Sequence, residues 1–248
     1  MTEDLSPLAR RLGLLAKLTK QELACLEEIE GNSSRFERGK EIFCESQRSD
    51  TAYIVQHGWG CSFKLLPNGE RQIIAIVLPG DCINLRSALG RAPDYTFLAV
   101  SDLIASRVKI SRTVRLFNEL PHLGVALLLA TSQNDDMIVE HLISVGRRTA
   151  IERVAHLFLE LHDRLLVAGI ATETGFDCPL TQYDLADTLG LSAIHVNRML
   201  RELREQNMMV FADHKVEMLD VGRMQELTGY VNRYRPPIIV RNETAYPQ

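Results

Sequence analysis

The spacing of apolar residues changes several times along the chain, and each change predicts a different element. Within residues 1–30 the leucines recur at helical spacing, and Thr19 with Glu22 has the pattern of a capping box. Over residues 32–109 short apolar runs are separated by turn signals such as the Pro-Asn-Gly at residues 67–69. This pattern predicts an N-terminal helical segment followed by a small β-barrel of the jelly-roll type, a double-stranded β-helix.

Residues 121–145 are predicted to form one long helix with apolar residues spaced three and four apart. Such spacing is typical of a coiled-coil seam between two subunits, in which polar residues favour one register. The helix could also pack on its own barrel, and both contacts can hold because different faces are apolar. Residues 146–148 interrupt the pattern as a candidate hinge, and residues 149–167 form a second amphipathic helix. The predicted dimer interface consists of Leu127, Thr131, Asn134, Ile138, His141, Leu142 and Val145.

Residues 181–203 have the spacing of a helix-turn-helix. Ala186 is small where two helices must cross, Gly190 follows where the turn requires a positive φ, and Val196 anchors the second helix. Residues 209–218 have the pattern of a hairpin, which predicts the wing of a winged helix. Because a helix-turn-helix places its second helix in the major groove, this part of the chain predicts binding to duplex DNA.

The second helix is predicted to begin after Ser192 as its N-cap and to run to about Gln206. Its face opposite Val196 can enter a groove, where Arg pairs with guanine, Asn pairs with adenine, and an apolar side chain contacts a thymine methyl group. Residues near the two helix starts are placed to bind phosphates. A solvated helix face with ordinary arginines is the alternative, and the complete framework favours DNA binding over it. The predicted DNA-binding residues are Thr181, Gln182, Ser192, Ile194, His195, Asn197, Arg198 and Arg201.

Composition limits the class of protein further. With 248 residues, of which 46% are hydrophobic and 24% charged, the chain can build two modest globular domains. A net charge of −4 means that any positive surface for DNA is local, and we expect it on the second helix. No apolar run reaches about 18–20 residues, and the acidic start does not resemble a signal peptide. We therefore expect a cytoplasmic protein without a membrane span.

The cysteines are scattered along the chain and include no C-x-x-C pair, so they do not indicate a zinc site or a thioredoxin-like motif. We expect no bound metal, and we expect these residues to be small buried side chains. A redox-sensitive thiol at Cys178, three residues before Thr181, is the alternative. The five cysteines are Cys25, Cys44, Cys61, Cys82 and Cys178.

The order of a helix, a β-barrel, a long helix and a winged helix-turn-helix resembles the Crp/Fnr family of bacterial transcription regulators. The resemblance spans about residues 10–222, with anchors at residues 53–55, 67–69, 79–81, 121 and 180–203. It implies an α+β fold and a homodimer that binds a two-fold-symmetric DNA site, contacts RNA polymerase and acts as an activator. We expect a sensor domain at residues 1–120, a dimerisation helix and hinge at 121–147, a DNA-binding domain at 148–228 and an extended tail at 229–248.

The ligand-binding positions of the cyclic-AMP-binding members are changed in this chain. Asn84-Leu85 stands where a Gly-Glu pair holds the ribose. Pro93-Asp94 falls on the Arg-Ser pair that holds the phosphate, which a carboxylate would repel. Ile138-Val139 replaces the hydroxyl pair that contacts the base, so we expect no cyclic AMP. A different loop register could restore the phosphate contact through Arg86-Ser87 or Arg91.

Two other features of the family bear on cofactors and on base recognition. The N-terminal cysteine cluster of the iron–sulfur members is reduced here to Cys25, so we expect no cofactor of that kind. Many relatives have a glutamate at the position of Ile194, whereas Arg198 is retained and is the main base-reading candidate. Haem would have only lone histidines as ligands, and we expect none to be bound; these are His57, His122, His141, His156 and His162.

An enzyme is the main competing class, because some metal-dependent enzymes share a similar barrel. They need clustered histidines, yet His57 is the only histidine between Met1 and Asn118. The sequence also carries no P-loop, nucleophile elbow or dinucleotide fingerprint, so we expect a regulator and not an enzyme. Two modes of regulation stay open. One is constitutive DNA binding, and the other is a response of the barrel to an unidentified small molecule, haem or a redox signal.

Overall fold

The computed structural model describes residues 5–85 and 91–234 of the chain. Its elements follow the predicted order of helices, barrel, long helices and winged helix. The helices are α1 (Pro7–Leu15), α2 (Lys20–Glu30), α3 (Ile110–Glu119), α4 (Pro121–Arg147), α5 (Ala150–Ala168), α6 (Gln182–Leu189), α7 (Ala193–Glu205) and α8 (Val221–Thr228). The strands are β1 (Ser33–Phe36), β2 (Glu41–Phe43), β3 (Thr51–His57), β4 (Gly60–Leu65), β5 (Arg71–Val77), β6 (Cys82–Ile83), β7 (Thr96–Ala99), β8 (Leu103–Lys109), β9 (Gly175–Asp177), β10 (Met209–Ala212) and β11 (Lys215–Met218).

The N-terminal domain is a jelly roll of two antiparallel sheets, with strand orders β1-β8-β3-β6 and β2-β7-β4-β5. The facing sides of the sheets enclose a core that includes Phe43, Val55, Phe97 and Leu103. The β4–β5 hairpin turns at the predicted Pro-Asn-Gly, where Gly69 has a φ of +84°. The α+β fold class and the jelly-roll barrel predicted from the sequence are therefore confirmed.

The long helix α4 is two residues longer than predicted. It passes through Gly146 without interruption and ends at Arg147. The C-cap residue Arg148 has an extended backbone conformation. The next helix starts at once, because Thr149 and Glu152 form a capping box for α5. The break between the two helices therefore lies at Arg148-Thr149, at the end of the segment predicted as a hinge, and not at the glycine.

The C-terminal domain packs α5, α6, α7 and α8 with a small sheet of order β10-β11-β9. The β10–β11 hairpin is the predicted wing. Its two central turn residues, Asp213 and His214, have φ values of +49° and +59°. Positive φ at both positions is the geometry of a type I′ turn, which matches the twist of a hairpin even though no glycine is present.

Three elements differ from the sequence-based expectation. The pattern does not predict α3, which follows β8 directly and begins without a side-chain cap. It does not predict α8 either, although Asp220 caps that helix by accepting from the backbone N–H of Arg223. The tail predicted as extended from residue 229 folds back as far as the structure describes it, since Tyr230 donates to Asp163 at 2.8 Å and Tyr234 is buried. The Pro-Pro pair at residues 236–237 lies outside the described residues.

Candidate nucleic-acid interface

The first helix of the reader unit, which we define as α6 and α7, begins with a closed capping box. The Thr181 hydroxyl donates to the Asp184 carboxylate at 2.7 Å and accepts from the Asp184 backbone N–H at 3.2 Å. That hydroxyl is committed to the cap, so it does not supply the phosphate donor expected of Thr181. The backbone N–H groups of the first turn of α6 remain as donors, because a helix leaves them without intrahelical partners.

The turn and the second helix have the predicted geometry. Gly190 ends α6 with a φ of +63°, and Ser192 caps α7 by accepting from the backbone N–H of His195 at 3.2 Å. The Ser192 hydroxyl also lies 3.3 Å from Nδ1 of His195, so these two exposed side chains form one polar corner at the start of α7. The inner face of α7 is buried in the domain core and consists of Val196, Met199, Leu200 and Leu203.

The outer face of α7 is exposed and carries most of the predicted base-contacting residues. Ile194 is 83% exposed, which is unusual for an isoleucine on a folded surface. Arg198 makes no hydrogen bond or ion pair with any residue of the described ranges. Arg201 has a single exposed contact with Glu205 at 3.4 Å, which solvent screens. These guanidinium groups are available to a ligand outside the chain.

One open groove runs along this face. It contains five of the predicted residues, whereas Thr181, Ser192 and His195 lie at the helix starts beside it. Three lining residues lie outside the predicted set, and one of them, Leu200, is the edge of the buried face of α7. Arg204 could have been found at helical spacing after Arg201, but Phe211 comes from β10 and reaches the groove only through the fold of the wing. The lining residues are Gln182, Ile194, Asn197, Arg198, Leu200, Arg201, Arg204 and Phe211.

The barrel contacts the reader unit through the start of β5. Arg71 forms ion pairs at 2.7 Å with both Asp184 and Asp187 of α6, and its guanidinium lies 5.6 Å from the centre of the Phe63 ring. Burial opposes ionisation of Asp184, but hydrogen bonds from Thr181 and Arg71 prevail and lower the pKa of this carboxyl. Arg71 thereby neutralises two negative charges on a helix whose N-terminus is a candidate phosphate site.

The exposed apolar surface of α4 coincides only in part with the residues predicted for the dimer seam. Asn134 accepts from Arg11 at 2.9 Å, and His141 lies 3.2 Å from the Glu160 carboxylate, so both face the chain's own interior. Thr131 donates to the Leu127 carbonyl of its own helix. The adjacent face of α4 is exposed to solvent instead. Its exposed large apolar residues, which we call the apolar stripe of α4, are Val125, Leu128, Ile138, Val139, Leu142, Ile143 and Val145.

Cys178 does not have the environment of a reactive thiol. Its exposed fraction is 0%, and burial raises its pKa to about 12. A reactive cysteine needs a thiolate and access to an oxidant, and this position supplies neither. The structure therefore contradicts the redox alternative at Cys178. Among the residues that the structure describes, no cluster of three or more His, Cys, Asp or Glu side chains could hold a metal ion.

The histidines considered for haem are engaged within the chain, apart from the exposed His57. His122 lies 2.8 Å from the Glu22 carboxylate and His156 lies 3.4 Å from that of Glu140. His162 lies 2.8 Å from the carbonyl of Thr172, and His141 is paired with Glu160 as described above. These contacts give each of the four imidazoles an internal partner, so the fold does not converge them on one ligand.

A cavity of about 300 Å³ lies between the barrel and α4. Its lining includes the carboxylates of Asp81, Asp94 and Asp135, and the apolar Ile138 lies where cyclic-AMP-binding members have a hydroxyl. Two cations line the cavity, and both have carboxylate partners within the chain. Arg164 is bound to Asp81 at 2.6 Å and to Glu160 at 3.0 Å, and Lys64 lies 3.2 Å from the carboxylate of Glu45. These residues do not fit a cyclic phosphate. The Arg86-Ser87 pair that could have restored the contact lies outside the described residues.

The jelly roll, the long helix and the exposed reader unit define a helix-turn-helix transcription regulator. A family model described as a Crp-like helix-turn-helix domain matches residues 152–227, and one described as a cyclic nucleotide-binding domain matches residues 33–119. The nitrogen fixation regulation protein FixK of Azorhizobium caulinodans is 34% identical over 176 residues, which are 71% of this chain and 70% of that protein. The chain belongs to the Crp/Fnr family.

Two further comparisons agree with this membership. The transcriptional activatory protein AadR of Rhodopseudomonas palustris is 30% identical over 192 residues, covering 76% of this chain and 77% of that protein. The solved structure of FixK2 from Bradyrhizobium japonicum has a TM-score of 0.71 at 28% identity, covering 81% of this chain and 98% of that chain. The protein is thus a DNA-binding transcription regulator, and the relatives named here are transcription regulators. Within the described ranges no helix is long and apolar enough to cross a bilayer.

Proposed function

We propose that the protein is a homodimeric transcription activator that binds a palindromic promoter site, with one α7 helix in the major groove of each half-site. The observation that carries this proposal is the exposed Arg198 at the centre of the outer face of α7, which has no partner among the residues that the structure describes. A guanidinium in this position can form the bidentate pair with guanine. Asn197 and Ile194 flank it and supply an amide for adenine and an apolar contact for a thymine methyl group.

The apolar stripe of α4 supports the dimer. Leu142 is 73% exposed and Leu128 is 61% exposed, and monomeric proteins rarely leave such residues together on one helix. Val125, Leu128, Val139 and Leu142 follow the spacing of a coiled-coil seam, and the polar Ser132 and Asp135 between them would favour one register. Of the residues predicted from the sequence, this seam keeps Leu142, and Ile138 and Val145 lie beside it in the apolar stripe. Asn134 and His141 instead contact internal partners. A second copy of this chain is the occupant that this spacing fits.

The direction of regulation is proposed from relatives. FnrL of Cereibacter sphaeroides and AadR of Rhodopseudomonas palustris both bear names of transcriptional activators. Activation requires contact with RNA polymerase, so we propose the polymerase as the second partner of the DNA-bound dimer. Because promoter DNA lies in the cytoplasm, the proposed site of action is cytoplasmic.

The test is selection of binding sites from random duplex DNA with the purified full-length protein and nothing added. We expect a palindrome whose half-sites are about one helical turn apart, roughly 34–36 Å from centre to centre. An asymmetric site would contradict the dimeric arrangement. Recovery of no site, both from purified protein and after addition of cell extract, would contradict the base-reading role of α7.

Control by an effector is a second candidate, and one strand favours it. Residues 74–77 of β5 line the barrel cavity, while Arg71 and Gln72 at the start of the same strand contact α6. A ligand that displaced β5 would therefore move the first helix of the reader unit. Such a ligand must bind one arrangement more tightly than the other to have any effect. Tight and specific binding by ligand-free protein would favour constitutive action instead.

A further inference from the structure

Two amide side chains meet between the helices of the reader unit. The Asn197 Nδ2 donates to the Gln182 Oε1 at 2.5 Å. Gln182 is the first residue of α6, Asn197 lies in the second turn of α7, and both are exposed and line the same groove. A hydrogen bond between exposed amides contributes little to folding, because water competes for both groups. The pair lies in the groove proposed to bind DNA. We therefore look for its role in the orientation of the two amides and not in the stability of the fold.

The orientation of the Asn197 amide decides which base it can pair with. A side-chain amide has two N–H donors and one acceptor oxygen. Bidentate pairing with adenine requires one donor, for N7, and one acceptor, for the N6 amino group. Gln182 holds one N–H of Asn197, and this leaves the second N–H and the oxygen for the base. Without Gln182 the amide is free to turn over, which exchanges its nitrogen and oxygen and removes the match.

We infer that Gln182 is a positioning residue for base recognition, which holds the amide of Asn197 in the orientation that selects adenine. Its own amide nitrogen stays available for the backbone phosphate contact predicted from the sequence. When α7 enters the groove, water leaves the pair and the hydrogen bond becomes stronger. The inference rests on the proposed role of α7 in the major groove and adds a residue of α6 to the set that determines the operator sequence.

The test compares the base preferences of full-length variants by selection from randomised duplex DNA. Asn197→Ala is expected to lose a preference for adenine of roughly tenfold to a hundredfold at one position in each half-site. Gln182→Leu is expected to lose most of the preference at that same position. Gln182→Glu keeps an oxygen that can accept from Asn197, so it should keep the adenine preference while its added negative charge weakens binding to all sequences.

Two controls separate positioning from other roles. Tyr183, the exposed neighbour on α6, should tolerate Tyr183→Leu with the adenine preference intact, and loss there would overturn a specific role for Gln182. The inference is also overturned if Gln182→Leu weakens binding to every sequence by one factor, because Gln182 would then contact phosphate alone. Failure of the unmodified protein to select any palindrome would instead overturn the proposed function, and this inference with it.

Discussion

Helix α7 buries its large apolar residues in the core, whereas the C-terminal half of helix α4 exposes large apolar residues to solvent. In α7 the buried face is apolar and the exposed face carries Asn197, Arg198 and Arg201, as expected for a helix on a protein surface. In the C-terminal half of α4 the inner face carries Glu140 and His141, whose partners are internal charges, while large apolar residues face outward. The order of polar and apolar faces is inverted between the two helices.

The inversion indicates different partners. Exposed donors that are unpaired or held only by exposed contacts suit a ligand rich in acceptors, such as the edges of bases in a groove. An exposed apolar face beside a satisfied polar interior suits another apolar face, because water is displaced from both at once. On this argument α7 meets DNA and α4 meets a second copy of the chain. Each prediction below alters one side of the comparison.

The largest effect is expected from a charge in the apolar stripe. Leu142→Glu places a carboxylate on a side chain that is 73% exposed, so the protomer should fold while the dimer separates. Loss of the second α7 helix removes simultaneous binding of both half-sites, and affinity for the palindrome should fall on the order of a hundredfold or more. Sedimentation and a DNA titration measure the two effects. Ile170→Glu, at an exposed residue away from the stripe, is the matched control, and an intact dimer in Leu142→Glu would refute this seam.

A smaller effect, limited to one kind of DNA, is expected from the outer face of α7. Arg198→Ala removes the proposed guanine contact and should weaken binding to the selected site by roughly tenfold to a hundredfold per half-site, with little change on random DNA. Lys215→Ala on the wing is the control, because removal of an exposed positive charge that reads no base should change binding to both kinds of DNA by the same factor. Equal losses on both DNAs for Arg198→Ala would show that Arg198 does not recognise a base.

The sequence predicts local structure correctly where that structure depends on contacts between residues close together in the chain. The reader unit depends on a cap at Ser192, a glycine at position 190 and apolar spacing within α7, and each is visible in consecutive residues. Spacing alone does not say which of two neighbouring faces of α4 is covered. Asn134 and His141 of the predicted seam have internal partners, whereas Leu142 of the same set is exposed. The deciding contacts are distant in sequence, such as Arg11 with Asn134 and Glu160 with His141. The sequence predicts a DNA-binding role for Gln182 and for Asn197 separately, but the hydrogen bond between them depends on how α6 and α7 pack.

The contact between α4 and α5 is expected to make stability depend on pH, because His156 of α5 is buried beside Glu140 of α4. Burial and the neighbouring Arg148 lower the pKa of His156 to about 4, so this histidine stays neutral in the folded chain. The unfolded chain takes up the proton near pH 6.5, so stability is present above that value and is lost as the pH falls toward 4. His141 has a raised pKa and the opposite sign, but below about pH 6 it is protonated in both states.

Urea titrations at about pH 6 and pH 4.5 measure this dependence. The free energy of unfolding should fall by on the order of 1 kcal/mol from the His156 contribution over this interval. His156→Gln should reduce the slope of the free energy of unfolding with pH, whatever its effect on absolute stability. If the free energy of unfolding of His156→Gln has the same slope with pH as that of the unmodified chain, the packing of α5 against α4 does not keep His156 unprotonated.

The smallest effect is expected at the contact between barrel and reader unit. Arg71→Ala leaves the carboxylates of Asp184 and Asp187 without the guanidinium that now lies 2.7 Å from each. Two uncompensated negative charges on α6 should weaken binding to any DNA severalfold and most strongly at low salt, because phosphates repel them. Partly exposed ion pairs contribute up to about 1 kcal/mol each, so hydrogen exchange in α6 should also rise modestly. Lys109→Ala, which removes an exposed pair with Asp50 on the barrel, is the control. Unchanged exchange in α6 together with unchanged DNA affinity would show that Arg71 neither neutralises the reader unit nor couples it to β5.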